Sequence, residues 1–193
     1  MIRVALAALL LLAGTAEASR RPGSTIRIET DSKVASGVHI GNGFILTAQH
    51  VVEKSAEITF LLDNSSTIHT AKVLWANYDY DVALIHAPME DVASSELSCR
   101  TPSVGEPVTA IGNLNGHRFF RSPGVVATEL EDVDRWHDVY AVAGANGGGM
   151  SGGPVLDAEG RIVGLTVAGP GRIGPYGLIV TGSAICKLLG RVK

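Results

Sequence analysis

A serine ringed by glycines stands out in the sequence: Gly147-Gly148-Gly149-Met150-Ser151-Gly152-Gly153-Pro154. Glycine brings nothing to a core and loses much backbone entropy, so packing does not account for the run. Glycine does permit positive φ and lets a backbone N–H point into a cavity. A serine nucleophile needs that, because the oxyanion of its tetrahedral intermediate must meet preorganised N–H donors. Taken alone, the segment also reads as a flexible surface loop. A serine hydroxyl needs a base, and the base needs a group to orient it. Two upstream segments offer both. Phe44-Ile45-Leu46-Thr47-Ala48-Gln49-His50-Val51-Val52 puts a histidine directly after an apolar strand, where a turn would display it. Asp79-Tyr80-Asp81-Val82-Ala83-Leu84-Ile85 opens an apolar strand with an acid. Singly these are more often a structural histidine and a turn aspartate; in the order His–Asp–Ser they supply base, orienter and nucleophile.

Gly149-Met150-Ser151-Gly152-Gly153 also satisfies Gly-x-Ser-x-Gly, the nucleophile elbow of α/β-hydrolases, in which the histidine follows the serine. Here the six histidines (39, 50, 69, 86, 117 and 137) all precede Ser151, which excludes that reading.

The elements that must position these residues are strands. Glycine is the compositional outlier, 23 of 193 residues, about 12% against a usual ~7%. With 46% hydrophobic and 5% aromatic residues, this indicates a turn-rich β protein of one domain or two small lobes. Apolar alternation and turn punctuation predict strands at Thr25–Glu29, Val34–Ile40, Gly43–Thr47, Glu57–Leu62, Ile68–Ala76 and Asp81–His86. Residues 88–107, polar and carrying Pro88, Pro102 and Pro107, read as a connection. A second set follows at Pro107–Ile111, Gly124–Thr128, Asp138–Ala143, Pro154–Leu156, Arg161–Ala168 and Tyr176–Val180. Ser183 as N-cap, an apolar run to Leu189 and Gly190 predict a short terminal helix. Roughly six strands per half imply an all-β fold of two antiparallel barrels or a sandwich.

The first 18 residues read as a secretory signal. Arg3 precedes ten residues without a polar side chain, Val4–Ala13, and Ala16-Glu17-Ala18 offers small-x-small for cleavage after Ala18. The 13 uncharged residues between Arg3 and Glu17 are too few for a span of ~20. Export is therefore expected, with no stable membrane anchor after cleavage. Residues 19–98 and 99–193 then form the two lobes. In an oxidising compartment Cys99 and Cys186 form either one bridge or two unpaired thiols. No Cys-x-x-Cys or Cys/His spacing of the zinc type occurs, so no metal or other cofactor is expected. A net charge of −3 leaves no basic excess for nucleic acid.

Three segments carry a resemblance to a known family: Gly41–Val52 (G-x-G-F-I-L-T-A-x-H-V-V), Asp81–Ile85 (D-V-A-L-I) and Gly149–Val155 (G-x-S-G-G-P-V). The chain resembles the chymotrypsin/trypsin-like serine peptidases, and within them the bacterial Deg-type branch. The resemblance implies a double β-barrel with the active site between the lobes. It assigns His50, Asp81 and Ser151 as a triad and the N–H groups of Gly149 and Ser151 as an oxyanion hole. Asp79 is the second choice for the acid, and His39 the other histidine near the site. Ala145 falls at the floor of the primary specificity pocket, with Val167-Ala168-Gly169 along one wall. No acid lies there, so a small or medium apolar P1 residue is expected.

Departures from the family pattern carry further expectations. Trypsin-like enzymes activated by cleavage hold an aspartate just before the serine, and Deg-type enzymes an asparagine. This chain holds Met150, which accepts no ion pair, and Ser19-Arg20-Arg21-Pro22 is not an apolar start. Activation by amino-terminal insertion is not expected, and Met150 bears on how firmly the oxyanion loop is held. Some 40 residues follow Ser151, too few for the PDZ domain usual in the Deg-type branch. The expected function is an exported serine endopeptidase acting on proteins or peptides. The alternatives are an inactive relative serving as a protein-binding module and, within the same chemistry, an esterase.

Overall fold

The computed structural model describes residues 23–30, 33–63, 65–144, 147–168 and 176–190. Six strands make the first barrel: β1 (Thr25–Glu29), β2 (Val34–Gly41), β3 (Phe44–Thr47), β4 (Glu57–Leu62), β5 (Ile68–Asn77) and β6 (Val82–His86). They close in the order β1-β2-β3-β6-β5-β4, every pair antiparallel. Ile26, Ile28, Ile45, Phe60 and Ile85 fill its interior. Each such side chain contributes roughly 1.5–3 kcal/mol by leaving water.

The second barrel is built from β7 (Pro107–Gly112), β8 (Phe120–Val126), β9 (Glu131–Val133), β10 (Trp136–Gly144), β11 (Pro154–Leu156), β12 (Ile162–Ala168) and β13 (Gly177–Thr181). Pairing of β10 with β13 closes a six-stranded ring, and the short β9 hangs on β10. Closure removes sheet edges, which decides between barrels and an open sandwich. Val108, Val126, Tyr140, Val142 and Ile179 line its core.

A third apolar cluster joins the barrels. Val38, Leu46 and Val82, on the outer face of the first barrel, pack with Ile162, Leu165, Leu178 and Val180 of the second. Alternation along β3 explains this: Ile45 points into the first barrel and Leu46 into the junction. Both faces of the strand are buried, so it reads as a continuous apolar run.

The structure moves several predicted boundaries. Strand β8 starts at Phe120, four residues before the expected Gly124, and runs through Pro123. Strand β10 covers only Gly124, Val125 and Val126 of it, so Pro123 withholds no ladder donor on that side. Strand β9 is charged and three residues long, too short for a pattern to show. The final helix α2 (Gly182–Leu188) is capped by Thr181, not Ser183, because Thr181 Oγ1 accepts from Ala184 N at 3.0 Å. Cys186 on α2 is bonded to Cys99 of the connecting segment, with Cα atoms 5.5 Å apart. The first 18 residues lie outside those described.

Candidate active site

Antiparallel pairing of β3 with β6 sets Thr47 opposite Ala83, so the residues after β3 lie beside those before β6. The chain leaves β3 through Ala48 into a one-turn helix α1 (Gln49–Val52), where the sequence pattern indicated only a turn. Val51 and Val52 are buried in the first barrel and hold this helix down, with His50 on its open side. Gln49 N donates to Asp81 O at 3.0 Å, and His50 N donates to Asp81 Oδ1 at 2.8 Å. The imidazole meets the other carboxylate oxygen, His50 Nδ1 to Asp81 Oδ2, at 2.6 Å. A carboxylate only accepts, so Nδ1 carries the proton and Nε2 presents its lone pair. Asp81 is 0% exposed and the His50 ring 32% exposed, so the base faces the cleft and its partner is shielded.

Asp81 sits at φ +54, a left-handed backbone uncommon for a residue with a side chain. Its own hydrogen bonds support that conformation. Besides the two from His50, Trp136 Nε1 donates to Oδ2 at 3.3 Å, and Arg135 lies 3.4 Å from Oδ1. The Arg135 guanidinium also lies over the Tyr78 ring, 4.2 Å from its centre. Trp136 and Arg135 come from the second barrel and carried no signal in the sequence. Asp79 is exposed and, among the described residues, makes no hydrogen bond to His50. His39 is buried, its Nδ1 3.0 Å from Ala93 O and its Nε2 accepting from Gly43 N at 3.3 Å. It is a core histidine and does not line the cleft.

Ser151 lies in the loop before β11, and its carbonyl accepts from Ser36 N of β2 at 2.9 Å. The next residue, Gly152, has φ +79, and a Cβ there would stand 2.3 Å from both Ser36 O and Thr47 Oγ1. The barrels approach here too closely for any side chain. Ser151 and His50 line one cavity of about 500 Å³ with Val34, Ala35, Asn115 and Gly149. Among the described residues the Ser151 hydroxyl has no hydrogen-bond partner. Contact with Nε2 therefore needs the two side chains to close on each other, as unliganded catalytic pairs commonly do on binding substrate.

Among the described residues the backbone around Ser151 leaves N–H donors unused, those of Gly149 and Ser151 among them. Gly148 O accepts from Asn115 N at 2.6 Å and Met150 O from Gly153 N at 2.9 Å. In a trans peptide the N–H points opposite to the preceding carbonyl, so the N–H groups of Gly149 and Ser151 turn away from these bonds. Neither donates to any acceptor among the described residues. Gly149 has φ +90, and a Cβ would stand 2.1 Å from Asn113 O. Met150 is wholly buried in the second barrel's core.

Of the residues expected to form a specificity pocket, Ala145, Gly169 and the side chain of Ala168 lie outside those described. Val167 is 1% exposed and packs in the cluster between the barrels. Among the described residues no three His, Cys, Asp or Glu side chains converge to hold a metal ion.

The family model described as trypsin-like peptidase domain matches residues 35–165. The chain is 29% identical over 153 residues to a "Probable periplasmic serine endoprotease DegP-like" of Pseudomonas savastanoi pv. phaseolicola, covering 76% of this chain and 32% of the relative. It thus spans about a third of the length of the curated relatives it matches first. Among solved structures, a protease from M. tuberculosis in its active form superposes with TM-score 0.77 at 21% identity, over 91% of this chain and 83% of that one. The serine endoprotease from Yersinia pestis gives 0.75 at 20%, over 90% and 64%. A matched span that runs through β2, α1 and the Ser151 loop, on a shared double-barrel fold, leaves one conclusion: this chain belongs to the trypsin-like peptidase domain family.

Proposed function

We propose that this chain is an exported serine endopeptidase in which Ser151 is the nucleophile, His50 the general base and acid, and Asp81 the group that orients His50. The observation that carries the reading is the 2.6 Å bond from His50 Nδ1 to a fully buried Asp81, facing a cavity that Ser151 shares. In the first step Ser151 Oγ bonds to the peptide carbonyl carbon while its proton passes to His50 Nε2. The carbonyl oxygen takes the negative charge and meets the free N–H groups of Gly149 and Ser151. Collapse breaks the C–N bond, and His50 returns the proton to the leaving amine. Water repeats the cycle on the acyl-enzyme, and the acid product leaves. Loss of one such oxyanion donor raises a barrier by ~3–4 kcal/mol.

By the family resemblance the specificity-pocket floor falls six residues before Ser151, where the sequence has Ala145 and no acid, and this supports a small or medium apolar P1 residue. The charged, apolar and small-residue segments of residues 1–18 support export, and the relatives named periplasmic agree. No helix among the described residues is long and apolar enough to cross a membrane. The test is profiling of the purified chain from Ser19 beside Ser151→Ala, with a fluorophosphonate and a peptide library. Labelling and turnover are expected in the wild type, absent from the variant, with apolar P1 residues preferred. A folded wild type that never labels points to a binding module, and basic P1 preference overturns the pocket assignment.

A further inference from the structure

The glycine loop before Ser151 is held by a group on the opposite barrel. Ser36 of β2 is fully buried, and its hydroxyl donates to Gly149 O at 2.7 Å. The same oxygen accepts from Asn113 N at 3.0 Å and Asn113 Nδ2 at 2.9 Å. A hydroxyl has one proton and two lone pairs, so all its capacity is used. Both asparagine groups are donors, which forces the single hydroxyl proton onto Gly149 O. Asn113 is fully buried as well: Nδ2 also donates to Ala35 O at 3.1 Å and Ile26 O at 3.4 Å, and Oδ1 accepts from Phe119 N at 3.3 Å. Asn113 N lies 3.3 Å from Gly149 O, and Asn115 N binds Gly148 O. Both glycine carbonyls are thereby held by donors of the protein, Gly149 O by Ser36 and Asn113 and Gly148 O by Asn115.

We propose that Ser36, aimed by Asn113, is the positioning residue that fixes the Gly149–Met150 peptide and with it the positive-φ turn at Gly149 through which the Gly149 N–H faces the cavity beside Ser151, in a chain whose Met150 has no polar side chain for the task. The inference rests on the peptidase reading for its catalytic consequence and on the geometry alone for its structural one. Hydroxyl and amide groups stay neutral across the ordinary pH range, so this anchor forms when the barrels dock and needs no charged partner.

The test compares wild type, Ser36→Ala and Thr181→Ala, the last a destabilised control remote from the site. Removing the hydroxyl leaves Asn113 Nδ2 its two carbonyl partners, so Ser36→Ala is expected to fold. Its kcat should fall roughly a hundredfold with KM within about twofold, as for a lost oxyanion donor. Thr181→Ala should keep the wild-type kcat. Amide exchange at Asn115 reads the orientation of the Gly148 carbonyl without any turnover. Its protection should drop about tenfold or more in Ser36→Ala, relative to the global change, and stay unaltered in Thr181→Ala. If Ser36→Ala does not fold, Ser36→Cys, with a weaker donor in a similar volume, should show the same changes at smaller size. Unaltered Asn115 protection in the folded variant overturns the inference even if the wild type is inactive. An inactive wild type whose Asn115 protection depends on Ser36 overturns the peptidase reading and leaves the inference standing.

Discussion

Asp81 shows how much one side chain does at this site. Two bonds from His50 set the ring's tautomer and its tilt, and the second barrel adds Trp136 and Arg135. Asn in its place keeps the shape but offers an N–H₂ where His50 Nδ1 needs an acceptor. On the proposed mechanism, Asp81→Asn should lower kcat about 10⁴-fold with the fold retained, as steady-state kinetics and circular dichroism would show. A loss of tenfold or less would remove Asp81 from the role of orienter. At this scale the sequence was legible where chemistry follows from residue type: His50, Asp81 and Ser151 stood out by kind and order. Ser36 and Asn113 did not. A serine inside Val34-Ala35-Ser36-Gly37-Val38 looks like an ordinary strand residue until Asn113, 77 positions on, is seen against it.

Among the elements, α2 and the connecting segment carry the clearest dependence. Helix α2 is only seven residues long, too short to persist alone, and owes its place to the Thr181 cap, to Ile185 in the junction cluster and to the bond from Cys186 to Cys99. That bond closes a loop with a sequence separation of 87, for which chain entropy gives about 4–5 kcal/mol. Replacing both cysteines with serine should lower the unfolding free energy by about 2–4 kcal/mol, read from urea midpoints at constant m-value. Equal midpoints in reduced, oxidised and substituted protein would show that the bond contributes nothing. Strand existence was readable from alternation for all but the three-residue β9, and strand limits less so. Strand β8 crosses a proline because only one neighbour pairs with it there, a fact of sheet order and not of local pattern.

Across the whole molecule, a charged network ties the connector to the second barrel. Arg100 bonds Glu106 and Asp157, and Arg161 bonds Asp157 with both its backbone N–H and its guanidinium. The Arg100 hydrogen bond holds the Glu106 carboxyl below its ordinary range, against the opposing effect of burial. For Asp157 burial is the largest influence and pushes upward, but hydrogen bonds from Arg161 N, Arg100 and Arg161 together outweigh it, and the net shift is downward. Carboxyls lowered on folding add stability that is full above their unfolded pKa, near 4, and lost as pH falls through the folded value. Urea midpoints should therefore hold from neutral pH to about 5 and decline below about 4. Asp157→Asn should cost roughly 2 kcal/mol at pH 7, with a shallower acid decline. A variant with the wild-type acid profile would detach the network from acid stability.

The sequence alone determined the residue types that can do acyl transfer, their order along the chain, and roughly six strands in each half, the short β9 excepted. These rest on local physics: alternation, turn chemistry, and the reactivity of a hydroxyl near a base and an acid. Only the tertiary structure decided which barrel face meets which, that Trp136 and Arg135 close over Asp81, and that Ser36 and Asn113 hold the Gly149 carbonyl. Those contacts join positions 36 to 113 residues apart. Their partners are chosen by barrel closure and by the apolar junction of Val38, Leu46 and Leu165, and no short window of sequence contains that geometry.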